Sequence, residues 1–167
     1  ASDVYKRQIL VVAERGTGKI TFWDTSVVGI PTHDVLDLSA QAFLPTSFGH
    51  FVGVTGFAFH PEFLTNPSKR FLFVRYNAAG VPTTYVKRWT ILPGSLKAAP
   101  STVTTIYTWP TLSTAHGSGT IQFDTRPGHE DLLYVPMPDD STPGNCCDEA
   151  RVQQIAGPSD LGQTYGG

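Results

Sequence analysis

Three runs of four apolar residues recur through this 167-residue chain at nearly constant spacing: Ile9-Leu10-Val11-Val12, Phe71-Leu72-Phe73-Val74 and Leu132-Leu133-Tyr134-Val135. Val12, Val74 and Val135 stand 62 and 61 positions apart. A continuous apolar run this short suits a strand buried on both faces. Other features keep step with the runs. After the first comes a Gly turn at Gly16-Thr17-Gly18, then Lys19-Ile20-Thr21-Phe22-Trp23; after the second comes Ala78-Ala79-Gly80, then Thr84-Tyr85-Val86-Lys87-Arg88-Trp89. Both read as hairpins whose second strand alternates and ends in Trp. Ahead of the second run lies Gly56-Phe57-Ala58-Phe59-His60-Pro61, and ahead of the third Gly119-Thr120-Ile121-Gln122-Phe123-Asp124, each a strand that stops at a turn.

A unit of about sixty residues with four short strands is the repeat of a β-propeller blade, in which radial repetition hides the strand edges. The expected fold class is therefore all-β: a partial β-propeller of about two and a half to three four-stranded blades, near residues 9–50, 51–115 and 116–167. The 16 Gly and 13 Pro agree with short strands joined by punctuated loops, and no segment carries a sustained helical stripe. Propellers close with at least about four blades. The chain is thus expected to be an incomplete ring with open strand edges, poorly soluble as a piece.

Charge narrows the partners. The net charge is −2, and Lys and Arg are scattered singly, so no basic stripe is available to neutralise phosphates and nucleic acid is not an expected partner. No apolar run approaches the roughly 18 residues of a membrane-spanning helix. Residues 1–8 match neither the alternation nor the composition of the remaining chain and are set aside as a non-native, adapter-like leader, so a missing signal peptide says nothing of compartment. The only cysteines, Cys146 and Cys147, are adjacent. Neighbouring Cα atoms are about 3.8 Å apart, below the usual disulfide range, so free thiols or a partner cysteine elsewhere are expected.

The wording of the repeats is specific. Gly53-Val54-Thr55-Gly56-Phe57-Ala58-Phe59-His60-Pro61-Glu62-Phe63 resembles the "G-L-L-G-hydrophobic-A-F-H-P-D-F" signature of the soluble PQQ-dependent glucose/sorbosone dehydrogenases. Val11-Val12-Ala13-Glu14 with Gly18-Lys19-Ile20 resembles that family's opening "V-x-E…G-x-I". Ala115-His116-Gly117-Ser118-Gly119-Thr120-Ile121 resembles its "H-x-S/G-G-x-L" segment. Leu133-Tyr134-Val135 through Asp139-Asp140 sits where the family has "L-Y-V-x-x-G-D", and Ala150-Arg151-Val152-Gln153-Gln154 resembles the "A-Q" before its next strand. The matches run in order over nearly everything after Gln8. They imply the N-terminal part of a six-bladed quinoprotein propeller, periplasmic or secreted.

The resemblance implies oxidation of a sugar C1 hydroxyl with hydride passing to PQQ, and Ca²⁺ as the accompanying ion; the partners are then a small sugar and an electron acceptor. Such chemistry needs a base for the hydroxyl proton, and His suits it near neutrality. By resemblance that base is His116, followed by small residues that let a planar cofactor approach the backbone. Asp139 falls where the family places an acid that orients the histidine and stabilises its cation. Read without the family, Asp139-Asp140-Ser141-Thr142-Pro143-Gly144 is also an ordinary polar turn.

His60, in Phe-His-Pro at a strand end, is expected to be architectural, closing the turn at Pro61. His33, His50 and His129 have no partner spacing, and Glu14 reads as a solvated strand end. Cofactor-binding residues are unassigned and no metal ligand is named: Ca²⁺ wants six to eight oxygens, and the family's cofactor-clamping residues come from later blades. Where some members carry a Gln just before the first signature, Phe51-Val52 stands here, and Pro138 replaces the family's Gly before Asp139. The 167-residue piece alone is expected to be inactive. The other reading is a non-catalytic extracellular propeller module of the hedgehog-interacting kind, because a fold does not fix a function.

Overall fold

The structure, a computed structural model, describes residues 9–24, 32–44, 52–110, 119–136 and 152–155. Among the described residues it is all-β, with ten strands and two three-residue 3-10 turns at Pro67–Lys69 and Pro100–Thr102. No helix there is long and apolar enough to cross a membrane.

The strands form three antiparallel sheets. The first holds β1 (Ile9–Glu14), β2 (Lys19–Asp24) and β3 (Thr32–Asp37) in the order β1-β2-β3. The second holds β4 (Val54–Phe59), β5 (Phe71–Asn77), β6 (Thr83–Thr90) and β7 (Thr104–Pro110), again in chain order. The third holds β8 (Gln122–Phe123), β9 (Leu133–Pro136) and β10 (Val152–Ile155), with β9 in the middle. Every sheet is a meander, with sequential strands lying side by side. The three apolar runs of the sequence fall on β1, β5 and β9.

Alternation along β5 explains how the sheets meet. Leu72, Val74 and Tyr76 project into a core shared with Ile20, Val35, Leu36 and Leu38 of the first sheet and its following loop. Phe73 projects from the opposite face into a second core, with Val86 and Trp109 from its own sheet and Ile121, Phe123, Leu133 and Val135 from the third sheet and its approach. The middle sheet is thus covered on both faces, which is why its central strand is apolar at consecutive positions rather than at alternate ones.

The inner strands come unusually close at one point. A side chain on Gly56 of β4 would meet Gly119 O, Thr120 Cα and Ile121 N, each at 3.0 Å. Thr55 is the extra residue of a bulge between Val54 and Gly56, which turns the strand locally. Glycine here lets two backbones touch. Gly56→Ala is therefore expected to destabilise the fold by about 1–3 kcal/mol, because the obstructing atoms are backbone and cannot rotate away. A urea titration should show a lowered midpoint with an unchanged slope.

One expectation fails for β1. Its apolar run predicts burial on both faces, yet Ile9 and Leu10 are 48% and 52% exposed. The reason is position: β1 is the edge of its sheet, whereas β5 and β9 have strands on both sides. Likewise, among the described residues only the middle sheet has the four strands expected of each repeat; the other two have three each.

Candidate functional site

His116 and Asp139, singled out by resemblance, lie outside the described residues, as do Cys146, Cys147, His50 and residues 1–8. Three polar constellations stand out among the described residues, and each straddles or borders a junction.

The first joins the second sheet to the third. His60 follows β4 directly, and its backbone N–H donates to Phe71 O at 3.0 Å, where the next strand begins. The imidazole is 5% exposed and is held between ring contacts with Phe71 and Phe123. Nδ1 accepts the backbone N–H of Glu62 at 3.1 Å, which closes the turn at Pro61. The proton therefore belongs on Nε2, which donates to Asp131 Oδ1 at 2.8 Å in the loop before β9. Lys69 Nζ sits between the two carboxylates, 2.6 Å from Glu62 Oε1 and 3.0 Å from Asp131 Oδ1. The bonds from His60 and then Lys69 hold the Asp131 carboxyl below its ordinary range; Lys69 and Asn66 do the same for Glu62.

His60, Glu62 and Asp131 bring three potential ligand atoms within 4.8 Å of one another. The Lys69 ammonium already occupies the ground between the carboxylates, and Nδ1 is taken by a backbone N–H. A divalent cation would have to displace a cation that has good hydrogen bonds, so the group acts as a clamp between sheets. Sequence reasoning finds the turn-closing role of His60 but not its reach across 71 positions to Asp131, since nothing in local spacing reports such a contact.

The second constellation centres on Arg75 in β5, which is 0% exposed. Nη1 donates to Gly119 O at 3.0 Å, and the guanidinium lies 5.1 Å from the centre of the Trp109 ring. Burial pushes its pKa down to about 10, so it stays charged at neutral pH. Gly119 is glycine for a steric reason: a Cβ there would collide with the Arg75 guanidinium and come 3.0 Å from Pro136 Cγ.

The third lies at the end of β8. Asp124 is 7% exposed; it accepts from Arg126 Nη2 at 2.6 Å and Nε at 3.0 Å, from the Arg126 backbone N–H at 2.8 Å, and from the Tyr134 hydroxyl at 3.0 Å. Arg126, through side chain and then backbone, holds this carboxyl well below the ordinary carboxylate range, with Tyr134 adding to it. A depressed folded-state pKa stabilises the fold above the unfolded value of about 4, and that stability is lost as pH falls through the folded value. Asp124→Asn is expected to lower stability at pH 7 and to make the loss below pH about 4 shallower. Urea midpoints measured at several pH values check both.

Elsewhere, Glu14 ends β1, partly exposed, and accepts from Thr21 at 3.0 Å and Thr17 at 2.9 Å, which latches the first hairpin. His33 stacks on Phe22 with ring centres 4.9 Å apart. The backbone N–H of His129 donates to Arg126 O in the turn before β9. A cleft of about 300 Å³ between the first two sheets is lined by Asp34, Asp37, Gln41, Trp89, Lys97 and Val103, among others. Its two carboxylates are engaged by Lys19, at 3.0 and 3.5 Å.

Neither PQQ nor Ca²⁺ is fitted by the described residues. An anionic planar quinone needs converging cations beside an open slot. Here Lys19, Lys69 and Arg126 are held by carboxylates, Arg70 by the carbonyls of Ile91 and Ser95, and Arg75 by the carbonyl of Gly119; Lys87 and Arg88 lie over aromatic rings, and Lys97 shares its cleft with the carboxylates of Asp34 and Asp37. The His60 group has two carboxylates against the six to eight oxygens that Ca²⁺ takes. No protein-family model matches the chain, and a search of curated proteins finds no match.

Proposed function

We propose that the chain is a segment of a β-propeller oxidoreductase similar to the soluble PQQ-dependent glucose/sorbosone dehydrogenases, acting on the C1 hydroxyl of a sugar outside the cytoplasm. His116 is the proton acceptor in this reading, and Asp139 orients it. The supporting observation is that motif order and sheet order coincide. The Ala-Phe-His-Pro-Glu-Phe block ends β4 and makes the following turn; the His-Gly-Ser-Gly block leads to the Gly119–Ile121 approach and β8; Leu-Tyr-Val is in β9; Val152–Gln154 opens β10. Equivalent sheets packed face to face in chain order are what consecutive blades would make.

What the chain itself would supply is proton handling. A neutral imidazole at His116 would take the hydroxyl proton, and a carboxylate at its second nitrogen would fix the tautomer and stabilise the cation. No step is assigned to the quinone or to Ca²⁺, because the described residues fit neither.

The test uses the full-length reading frame, titrated with PQQ and Ca²⁺ and assayed for dye-linked sugar oxidation with and without His116→Ala. PQQ-dependent turnover that the substitution abolishes supports the reading. Turnover unaffected by it removes His116 as the base, and no PQQ-dependent turnover removes the enzyme reading altogether. The recognition-module alternative has one observation in its favour. At the place where some family members present a Gln toward the quinone, Val52 is 1% exposed and offers no polar group.

A further inference from the structure

We infer that the cleft between the first and second sheets is a binding site for a free amino acid with an apolar side chain, whose zwitterionic head sits at the mouth. The cleft has a volume of about 300 Å³, at the lower end of the range of small-molecule sites. Its walls come from β3 and from the segment between β6 and β7. The Ala98 N–H donates to Val35 O at 2.8 Å, which ties the two walls together and leaves little ordering for a ligand to impose. Depth sorts the lining. Leu36 and Trp89 are buried, and Val103 adds an apolar wall that is 45% exposed. Asp34, Asp37, Lys97 and Gln41 are exposed residues and so stand at the mouth.

The charges at the mouth are separated by wall. Lys19 is shared between Asp34 and Asp37, at 3.0 and 3.5 Å, which leaves the β3 side with one uncompensated negative charge. Lys97 supplies one positive charge from the other wall, where its backbone N–H is anchored on Ser95 Oγ at 2.9 Å. Among the described residues neither the Lys97 ammonium nor the Gln41 amide has a hydrogen-bonding partner. These charges cancel, so an ion of either sign meets attraction and repulsion together. A ligand with both signs on one apolar body meets attraction at both walls: its ammonium beside Asp34 and Asp37, its carboxylate at Lys97, its side chain toward Trp89 and Val103. Exposed ion pairs are individually weak, so burial of the side chain supplies most of an affinity of roughly millimolar order. None of this depends on the dehydrogenase reading, and the test contains neither sugar nor quinone.

The experiment titrates the isotope-labelled 167-residue chain with leucine, 3-methylbutylamine and 4-methylpentanoate, read from the Trp89 indole and Val103 methyl resonances. The second ligand is leucine without its carboxylate, and the third is leucine without its ammonium. Leucine is expected to bind about threefold or more tighter than either. Lys97→Gln, at an exposed position, should weaken leucine to the level of the amine while leaving the amine no weaker. Leucine and the amine binding alike to the unaltered chain would overturn the inference, as would leucine binding that Lys97→Gln does not change. So would Trp89 and Val103 signals that stay still at about ten millimolar leucine, roughly ten times the expected dissociation constant.

Discussion

Trp89→Ala is expected to remove about 3–5 kcal/mol of stability, a large share of the roughly 5–15 kcal/mol that holds a domain folded. Trp89 is 3% exposed and belongs to the core between the first and second sheets, together with Ile91, Ala98, Ile20, Val35 and Leu36. It is also a wall of the cleft formed with Asp34, Asp37 and Gln41. Truncation would therefore do more than delete apolar contacts: it would open that polar cleft into the core. Trp89→Phe keeps most of the wall and is expected to cost less than half as much. Urea midpoints of the two variants, measured side by side, check the difference; equal losses would mean that the indole ring is not the wall.

The second large effect is at the junction of the other two sheets. Arg75→Ala deletes a fully buried guanidinium, leaving the Gly119 carbonyl without that donor and Trp109 without the cation at 5.1 Å. A loss of about 2–4 kcal/mol is expected from the orphaned acceptor and the cavity together. Gly119→Ala is expected to cost about 2–3 kcal/mol by overpacking, since its Cβ points into the same guanidinium. The two changes should not add. With Arg75 already truncated, the new methyl enters vacated space, and the Pro136 contact at 3.0 Å is the close approach that remains. The double variant should thus be more stable than the sum predicts by about 1 kcal/mol or more, as neighbours sharing one site require. Strict additivity would show that Arg75 and Gly119 do not meet.

Much of this architecture is legible in the residues. The runs at 71–74 and 132–135 mark central strands because a strand covered on both faces must be apolar at successive positions, and the hairpins follow from Gly turns ahead of alternating segments. Strands β3 and β7 escape the pattern, since Thr32–Asp37 and Thr104–Pro110 are edge strands with mixed composition that carry little periodicity of their own. The exposure of Ile9 and Leu10 is hidden from the sequence because burial depends on a neighbour that the run itself does not encode. The clamp of His60, Lys69, Glu62 and Asp131 is half visible: a Phe-His-Pro turn can be read locally, but its partner across the sheet junction cannot. Arg75 gives no signal, for an arginine inside an apolar strand is noticed only when the carbonyl and ring around it are known. The pair chosen for chemistry, His116 and Asp139, rests on resemblance and lies outside the described residues.

The central physical claim is that successive repeats fold into separate meanders whose inner strands touch, β4 against the segment leading into β8. Nuclear Overhauser contacts in the isotope-labelled protein test it most directly. Cross-peaks are predicted from the Gly56 Hα protons to the Ile121 amide and the Thr120 Hα, alongside the β4–β5 contacts within the second sheet. Gly56 resonances that connect only to their own sheet, with the protons of 119–121 near some other strand, would contradict it.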